Sequence, residues 1–346
     1  MVPYANFNMP VEYSGVNDEH ITVRKKAGIF DVSHMGEFWV KGKEAFSLLQ
    51  YLTTNDLSRL KPGKAHYTCM PNGKGGIIDD MIIYQYEDSK YMVVVNAANI
   101  HKDYQWIADH NQFEAELEDI SKETSLFALQ GPNAKEILQT LTDIDLSLIR
   151  PFHFRAGTLA GQPDVTISGT GYTGSGGFEL YLKNEEAEAV WKAIMEAGKP
   201  YGLKPIGLAA RDTLRLEAGL CLYGSDIDDH TSPMEAGLDW IVKFREGNDF
   251  VDRDYLWQQK ENGVKEKLAG FIMDDKGIPR HDYEIFNDKE ERIGRVTSGT
   301  MSPILKQGIG MAYIDVRYIE QNTPLFVKIR NKMKKAHVTD MPFVEL

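Results

Sequence analysis

Two apolar segments joined by a short polar turn place the strongest constraint on the fold of this chain. Residues 77–86 read Ile-Ile-Asp-Asp-Met-Ile-Ile-Tyr-Gln-Tyr and residues 91–95 read Tyr-Met-Val-Val-Val, with a polar Glu87-Asp-Ser-Lys turn between them. β-Branched and aromatic residues favour strands, and a polar connection of this length is typical of an antiparallel hairpin. The sequence therefore predicts a β-hairpin over residues 76–96.

A glycine-rich segment predicts a second hairpin over residues 165–182. Gly169-Thr-Gly-Tyr-Thr-Gly174 matches the G-x-G-x-x-G pattern of dinucleotide-binding proteins and follows a strand-like segment. A dinucleotide site needs a helix directly after the glycines, so that the helix N-terminus meets the pyrophosphate. Here an alternating strand, Phe178-Glu-Leu-Tyr-Leu, follows instead. The motif is a hairpin turn, and we expect no nicotinamide cofactor.

The rest of the chain predicts α+β units followed by a β domain. With 346 residues, the chain exceeds the length of roughly 250–300 residues at which one core stops growing. Helix-like patterns end near Arg245, and residues 265–346 show short strands with regular turns, typical of a small antiparallel barrel. Helices are predicted over 18–27, 44–52, 100–110, 132–141, 185–197 and 205–219, and a strand pair over 113–118 and 125–130.

Charge and composition exclude several partners. The net charge of −12 argues against nucleic acid, and no run approaches the ~18 apolar residues of a membrane span. Cys69 and Cys221 have no metal-ligand spacing, so buried free thiols and no bound metal are expected. No targeting pattern opens the sequence, so a cytoplasmic protein is expected.

One basic stripe near the C-terminus stands against this acidic background. Lys328, Arg330, Lys332, Lys334 and Lys335 alternate as on one face of a strand. Such a stripe could bind an acidic partner, although a solvated strand face explains the pattern as well.

Several polar residues could carry chemistry. On a strand, Asp79 and Asp80 point to opposite faces, so one of them enters the apolar side and needs partners there. The pattern leaves open whether that carboxylate is structural or catalytic. Arg211 and Arg215, four apart on one helix face, could jointly hold a carboxylate, or pair with neighbours such as Asp212.

Taken in order, nine segments resemble the glycine cleavage T-protein family of aminomethyltransferases. The matching stretches are Gly28-Ile-Phe-Asp-Val-Ser-His-Met-Gly-Glu37, Gly75-Gly-Ile-Ile-Asp-Asp-Met-Ile-Ile-Tyr84, Val95-Asn-Ala-Ala-Asn99, Ala128-Leu-Gln-Gly-Pro132, Gly171-Tyr-Thr-Gly174, Gly207-Leu-Ala-Ala-Arg-Asp-Thr-Leu-Arg-Leu-Glu-Ala-Gly219, Leu222-Tyr-Gly224, Ser232-Pro-Met-Glu-Ala-Gly237 and Val296-Thr-Ser-Gly-Thr-Met-Ser-Pro303. They span nearly the whole chain, which makes the ordered set specific where a single segment would be weak.

This resemblance implies a three-domain cloverleaf around a folate channel. Its domains would be residues 1–40 with 140–244, residues 41–139, both α+β and folate-binding, and residues 245–346 as an antiparallel β-barrel. The family's essential aspartate falls on Asp80, expected to hydrogen-bond the folate near its reactive nitrogens. The remaining folate-binding positions implied are Met35, Tyr67, Asn96, Tyr172, Glu179, Arg211 and Trp240.

The resemblance also implies the reaction and the partners. The substrate would be the aminomethyl group on the lipoyl arm of H-protein, acting with P-protein and L-protein. Ammonia is released and the carbon passes to tetrahydrofolate, without metal, nicotinamide or flavin. Relatives usually carry a further helical segment before Met1-Val-Pro, so a native start further upstream is expected.

Two alternatives of the same fold remain open. A folate-dependent demethylase would act on a methylated amine or sulfur, but the related oxidases carry a flavin domain that is not seen here. A non-enzymatic folate-binding protein of iron–sulfur assembly would carry Lys-Gly-Cys, and neither cysteine follows Lys-Gly.

Overall fold

The computed structural model describes residues 1–346 as a mixed α+β protein with nineteen strands and seven α-helices. The chain folds into two compact units. The first unit contains Met1–Leu52, Asp56–Thr68 and Asp80–Arg211, and the second contains Thr53–Asn55, Cys69–Asp79 and Asp212–Leu346. None of the helices combines the length and apolar character needed to cross a membrane.

The elements follow one another as strands interrupted by short helices. The strands are β1 Val2–Tyr4, β2 Phe7–Met9, β3 Gly28–Asp31, β4 Gly36–Lys41, β5 Lys64–Pro71, β6 Ile77–Glu87, β7 Lys90–Val95, β8 Glu116–Asp119, β9 Thr124–Gln130, β10 Phe154–Leu159, β11 Gln162–Ser168, β12 Gly177–Lys183, β13 Lys204–Pro205, β14 Glu266–Met273, β15 Glu284–Phe286, β16 Arg292–Met301, β17 Gly308–Asp315, β18 Pro324–Ile329 and β19 Lys332–Thr339. The helices are α1 Val16–Lys25, α2 Ala45–Leu52, α3 Ile100–Asp109, α4 Ala134–Gln139, α5 Asn184–Gly198, α6 Leu208–Glu217 and α7 Arg253–Asn262.

A five-stranded sheet in the order β5-β6-β7-β4-β8 has two chemically different faces. On β4, Phe38 packs its ring edge-on against Tyr104 of α3, with ring centroids 5.4 Å apart. Strand alternation puts Glu37 and Trp39 on the opposite face. Trp39 contacts Tyr86 of β6 there, with ring centroids 4.9 Å apart. One face is therefore closed by a helix, and the other carries polar and aromatic side chains.

A six-stranded sheet in the order β10-β11-β12-β9-β3-β13 repeats this division. On β12, Phe178, Leu180 and Leu182 belong to the apolar core that includes residues of α4 and α5. The alternate positions, Glu179 and Tyr181, therefore point away from that core. The register pairs them with Ser168 and Thr166 of β11, so this second face is polar as well.

The polar faces of the two sheets meet within the first unit. The hydroxyl of Tyr84 on β6 lies 2.9 Å from that of Tyr181 on β12. Two residues along β6, the hydroxyl of Tyr86 lies 2.7 Å from that of Thr166. These contacts define a buried layer between the sheets, here called the inter-sheet layer, in which hydrogen bonds replace much of the usual apolar packing.

The second unit contains a closed barrel in the order β14-β17-β16-β15-β18-β19. All its pairs are antiparallel, as the sequence predicted. Its interior is filled by an apolar cluster that includes Phe271, Val296 and Leu325. Closure leaves no unpaired sheet edge, and Leu216 of α6 packs with Leu268, Ile309 and Met311 of the barrel strands.

The α+β class, the C-terminal barrel and both predicted hairpins are confirmed, while four local predictions, the last of them the basic stripe, are wrong. Residues 116–119 and 124–130 do not pair with each other, because β8 joins β4 and β9 lies between β12 and β3. Pro205 does not begin α6 but pairs in parallel with Ile29. Helix α7 was missed, because Leu256 is its one buried residue and the apolar period is therefore absent.

The basic stripe does not occupy one face of one strand. Its residues flank the β18–β19 turn, where Arg330 has a φ of 56°. The register pairs Lys328 with Met333 and Lys334 with Val327. Lys332 and Lys334 consequently share one face of the hairpin, whereas Lys328 and Lys335 share the other.

Candidate functional site

The Asp80 carboxylate, at the polar face of β6, is held by two neutral donors. The hydroxyl of Tyr67 donates to Oδ2 at 2.8 Å, and the side-chain amide of Asn96 donates to Oδ1 at 2.8 Å. The same amide donates to the Asp80 carbonyl at 3.2 Å. Neutral donors stabilise a carboxylate without cancelling its charge, and fix its orientation.

Local backbone structure explains why these three residues meet. Tyr67 lies on β5, and Asn96 directly follows β7. Ile82 pairs with Val94, so continuing the register places Asp80 beside Asn96. Asp79 is fully buried and Asp80 half-buried, which agrees with the predicted opposite facing of the two carboxylates.

Glu179 is a second acid of the inter-sheet layer and lies on the opposite sheet. The hydroxyl of Thr170 donates to Glu179 Oε2 at 2.5 Å and also contacts Tyr84 Oη at 3.0 Å. Burial raises the pKa of Glu179, and the hydrogen bond from Thr170 and the positive charge of Arg211 partly oppose this rise. The carboxyl is therefore embedded in a network of hydroxyl groups rather than in an ion pair.

Arg211 lies at the edge of this network and stacks on an aromatic ring. Its guanidinium carbon is 4.6 Å from the centroid of the Tyr172 ring, the geometry of a cation–π contact. Burial, followed by the charge of Arg211, lowers the pKa of His34 to about 3, so this imidazole is neutral. Arg211 and Arg215 do not share a carboxylate, because Arg215 is bonded to Asp212 and Asp226.

The other two implied lining residues differ in position. Met35 is half-buried and directly precedes β4, so it adjoins the strand that carries Glu37. Trp240 belongs to the second unit, in the short 3-10 helix Asp239–Ile241, and is 57% exposed. The ligand contacts of all eight implied residues stay predictions.

Sequence reasoning missed Glu37 as a candidate. The side chain is completely buried on β4, and neither of its carboxyl oxygens has a hydrogen-bond partner. Burial, and then the charges of Asp119 and Glu179, raise the pKa of this carboxyl well above its usual range. Nothing in the local sequence marks a Glu beside a glycine as buried, because its burial depends on the stacking of two distant sheets.

Comparison with known proteins agrees with this architecture. Residues 1–246 match the family model described as the GCVT N-terminal domain, and residues 266–345 match the glycine cleavage T-protein C-terminal barrel domain. An aminomethyltransferase from Phocaeicola vulgatus is 56% identical over 99% of this chain and 95% of that protein. One from Bacteroides thetaiotaomicron is 55% identical over the same shares.

A solved structure extends the agreement to three dimensions. The glycine cleavage system aminomethyltransferase T from Bartonella henselae matches with a TM-score of 0.92 at 33% identity, over 99% of this chain and 93% of that one. Because the two family models cover residues 1–246 and 266–345, the chain belongs to the glycine cleavage T-protein family, and its α+β region followed by a closed barrel agrees with this. Within that family its function is that of an aminomethyltransferase.

Proposed function

We propose that this aminomethyltransferase releases ammonia from the aminomethyl-lipoyl arm of H-protein and transfers the carbon to tetrahydrofolate. The observation that carries the proposal is the Asp80 carboxylate, oriented by Tyr67 and Asn96 on the polar side of β6. P-protein and L-protein of the same system are the other functional partners proposed. The bacterial relatives favour a cytoplasmic location. The proposal also includes the division into three domains, residues 1–40 with 140–244, 41–139 and 245–346.

The residues of the first unit fit a reduced folate. A pterin is a flat ring system with several hydrogen-bonding edges, and the inter-sheet layer offers acids and hydroxyls at close spacing. Glu179 and Tyr84 lie on opposing sheets, and both contact the hydroxyl group of Thr170. Such a layer is costly for stability alone and suits a polar heterocycle.

The proposed reaction requires positioning and charge stabilisation rather than a protein nucleophile. When bound, tetrahydrofolate supplies the amine nitrogens that accept the one-carbon unit. The Asp80 carboxylate stabilises positive charge that develops at the transferred carbon as ammonia leaves. Tyr67 and Asn96 hold that carboxylate in one orientation, so little reorganisation accompanies the step.

Replacing Asp80 with asparagine tests the role of the negative charge. We expect turnover with aminomethylated H-protein and tetrahydrofolate to fall on the order of a hundredfold, the effect of losing one preorganised electrostatic group. The melting temperature should change little, because asparagine still accepts a hydrogen bond. Ammonia release and methylene-tetrahydrofolate formation are the measurements.

Asp88→Asn is the matched control, because Asp88 is exposed in the β6–β7 turn of the same hairpin. Near-normal turnover of Asp80→Asn would remove Asp80 from the mechanism. A methylated amine offered in parallel separates aminomethyl transfer from demethylation, and turnover of that amine alone would contradict the proposed substrate.

A further inference from the structure

The chain contains two Asn-Gly pairs, Asn72-Gly73 and Asn262-Gly263. An asparagine that precedes a glycine is chemically reactive, because the backbone nitrogen of the next residue can attack the carbon of the side-chain amide. Glycine has no Cβ to hinder this approach, and its backbone reaches angles that are closed to other residues. Since the reacting groups of the two pairs are the same, the fold decides which pair reacts.

The fold holds the Asn72 side chain in one orientation. Its Oδ1 atom accepts from the backbone N–H groups of Lys74 at 2.9 Å and Gly76 at 3.0 Å. Its Nδ2 atom donates to the carbonyl oxygen of Asp229 at 2.8 Å. The side chain is also half-buried. Turning the amide carbon of Asn72 toward the Gly73 nitrogen breaks these bonds, so the fold protects this pair.

The second pair lies at the end of a helix and is unrestrained. Asn262 is the last residue of α7, and both Asn262 and Gly263 are exposed. Neither the Asn262 side chain nor the Gly263 N–H has a hydrogen-bond partner within the protein. Gly263 has a φ of 77°, which ends the helix. Because terminal helical residues fray, Asn262 can reach the orientation that the attack requires.

Helix α7 is itself held by few buried side chains. Leu256 is its one buried residue and packs in a small cluster with Val242 and Phe250. Tyr255 and Trp257 of the same helix are 45% and 40% exposed. Elements with few buried apolar contacts open locally at a low free-energy cost. The last turn of α7 can therefore open while the rest of the second unit stays folded.

We propose that Asn262 is a site of spontaneous deamidation in the folded protein, and that Asn72 is spared. The Gly263 nitrogen gives its proton to water and bonds to Cγ of Asn262, while Nδ2 takes up a proton and leaves as ammonia. Water then opens the resulting succinimide ring at one of its two carbonyls. One opening gives aspartate and the other gives isoaspartate, so that one water is consumed and one ammonia is released. The modification is independent of the proposed function.

Both products change the charge at the end of α7. Each places a new carboxylate at residue 262, beside Glu261 and at the helix end where the macrodipole is negative. Isoaspartate also inserts one additional carbon into the main chain before Gly263. The modified molecules consequently form a more acidic species, which ion-exchange chromatography separates from the unmodified protein.

Incubation of the folded wild-type protein at mildly alkaline pH, without substrate, tests the proposal. Peptide mass spectrometry measures at each pair the mass gained when an amide becomes an acid. We expect Asn262 to react faster than Asn72 by about tenfold or more, because several hydrogen bonds must break before Asn72 reacts. In urea that unfolds the protein, the two rates should agree within about threefold, because the bonds that protect Asn72 are gone.

Asn262→Gln is the matched control, since glutamine must close a larger ring and does so more slowly. This variant should release much less ammonia than wild type, form little of the acidic species and keep wild-type turnover with aminomethylated H-protein. An unmodified Asn262, or equal rates at Asn72 and Asn262 in the folded protein, overturns the proposal. A rate difference that persists in urea also overturns it, because the flanking sequence and not the fold would then select the site.

Discussion

Buried polar groups are handled differently around Arg215 in the second unit and around Glu37 and His34 in the first, although two unpartnered buried oxygens, Asn248 Oδ1 and Gln259 Oε1, occur in the second unit too. In the second unit, Arg215 is 3% exposed and bonds Asp226 at 2.6 Å, Asp212 at 2.8 Å and Ser298 at 2.9 Å. Asp226 also accepts from Thr297 at 2.5 Å and from the N–H of Leu222 at 2.9 Å. Every strong donor and acceptor of this network has a partner within the fold.

In the first unit, several buried polar groups lack partners. Neither carboxyl oxygen of Glu37 has a hydrogen-bond partner. The Nδ1 atom of His34 has none either. A saturated network fixes the packing of the chain, whereas buried polar groups without partners cost stability.

Replacing Arg215, the cation that bonds Asp226 and Asp212, should cause the largest loss of stability. Arg215→Met leaves Asp226 and Asp212 without their cation, so the free energy of unfolding should fall by about 3–5 kcal/mol. Urea denaturation monitored by circular dichroism measures this change. Arg317→Met is the control, because Arg317 is an exposed residue that pairs with Asp315 and should leave the midpoint unchanged. Equal effects of the two substitutions would break the comparison.

The buried His34 side chain should make the free energy of unfolding depend on pH. The unfolded state binds a proton at His34 below about pH 6.5, while the folded state keeps this imidazole neutral down to about pH 3. Stability is therefore lost as the pH falls through this window. At pH 5 this single group should contribute up to about 2 kcal/mol of the loss.

Measuring the free energy of unfolding of His34→Gln at pH 7 and pH 5 tests whether His34 causes this pH dependence. The variant should lose less stability than wild type between these two values, because glutamine does not titrate. His101→Gln, at an exposed position on α3, should lose as much as wild type. The same loss in both variants would show that His34 does not differ from a surface histidine.

A smaller effect is expected at the Asp80 clamp, the pair of bonds from Tyr67 and Asn96. Tyr67→Phe removes the hydroxyl that donates to Oδ2 and leaves the bond from Asn96 to Oδ1. Turnover should fall by about fivefold, equivalent to roughly 1 kcal/mol for one net hydrogen bond. Tyr104→Phe, on α3 of the same unit, should retain wild-type turnover. A fully active Tyr67→Phe would mean that the Tyr67 hydroxyl is not needed to orient Asp80.

The sequence predicted those parts of the fold that depend on local pattern. The hairpins of residues 76–96 and 165–182 follow from alternating apolar strands around polar or glycine-rich turns, and the structure confirms both. Helix α7 escaped because a helix that buries one leucine has no apolar period. The basic stripe was misplaced because a turn at Arg330 transfers half of it to the other hairpin face.

The site was predicted less completely than the fold. Asp80 and its neighbours came from resemblance, since a doublet of aspartates on a strand is equally consistent with a structural role. Glu37 could not be found from its surroundings in sequence, because its burial arises from long-range contact between two sheets. Alternation states which face a residue takes, but not what covers that face.

Side chains on β4 alternate between two different faces, and this limits the insertions and deletions that the protein tolerates before this strand. Only four residues separate β3 from β4. Losing one of them and shifting the strand by one position would exchange Phe38 with Glu37, placing a phenyl ring among the hydroxyls and a carboxyl against α3. We therefore expect single-residue insertions and deletions to be eliminated by selection in this connection, while loops that precede no functional strand drift freely in length.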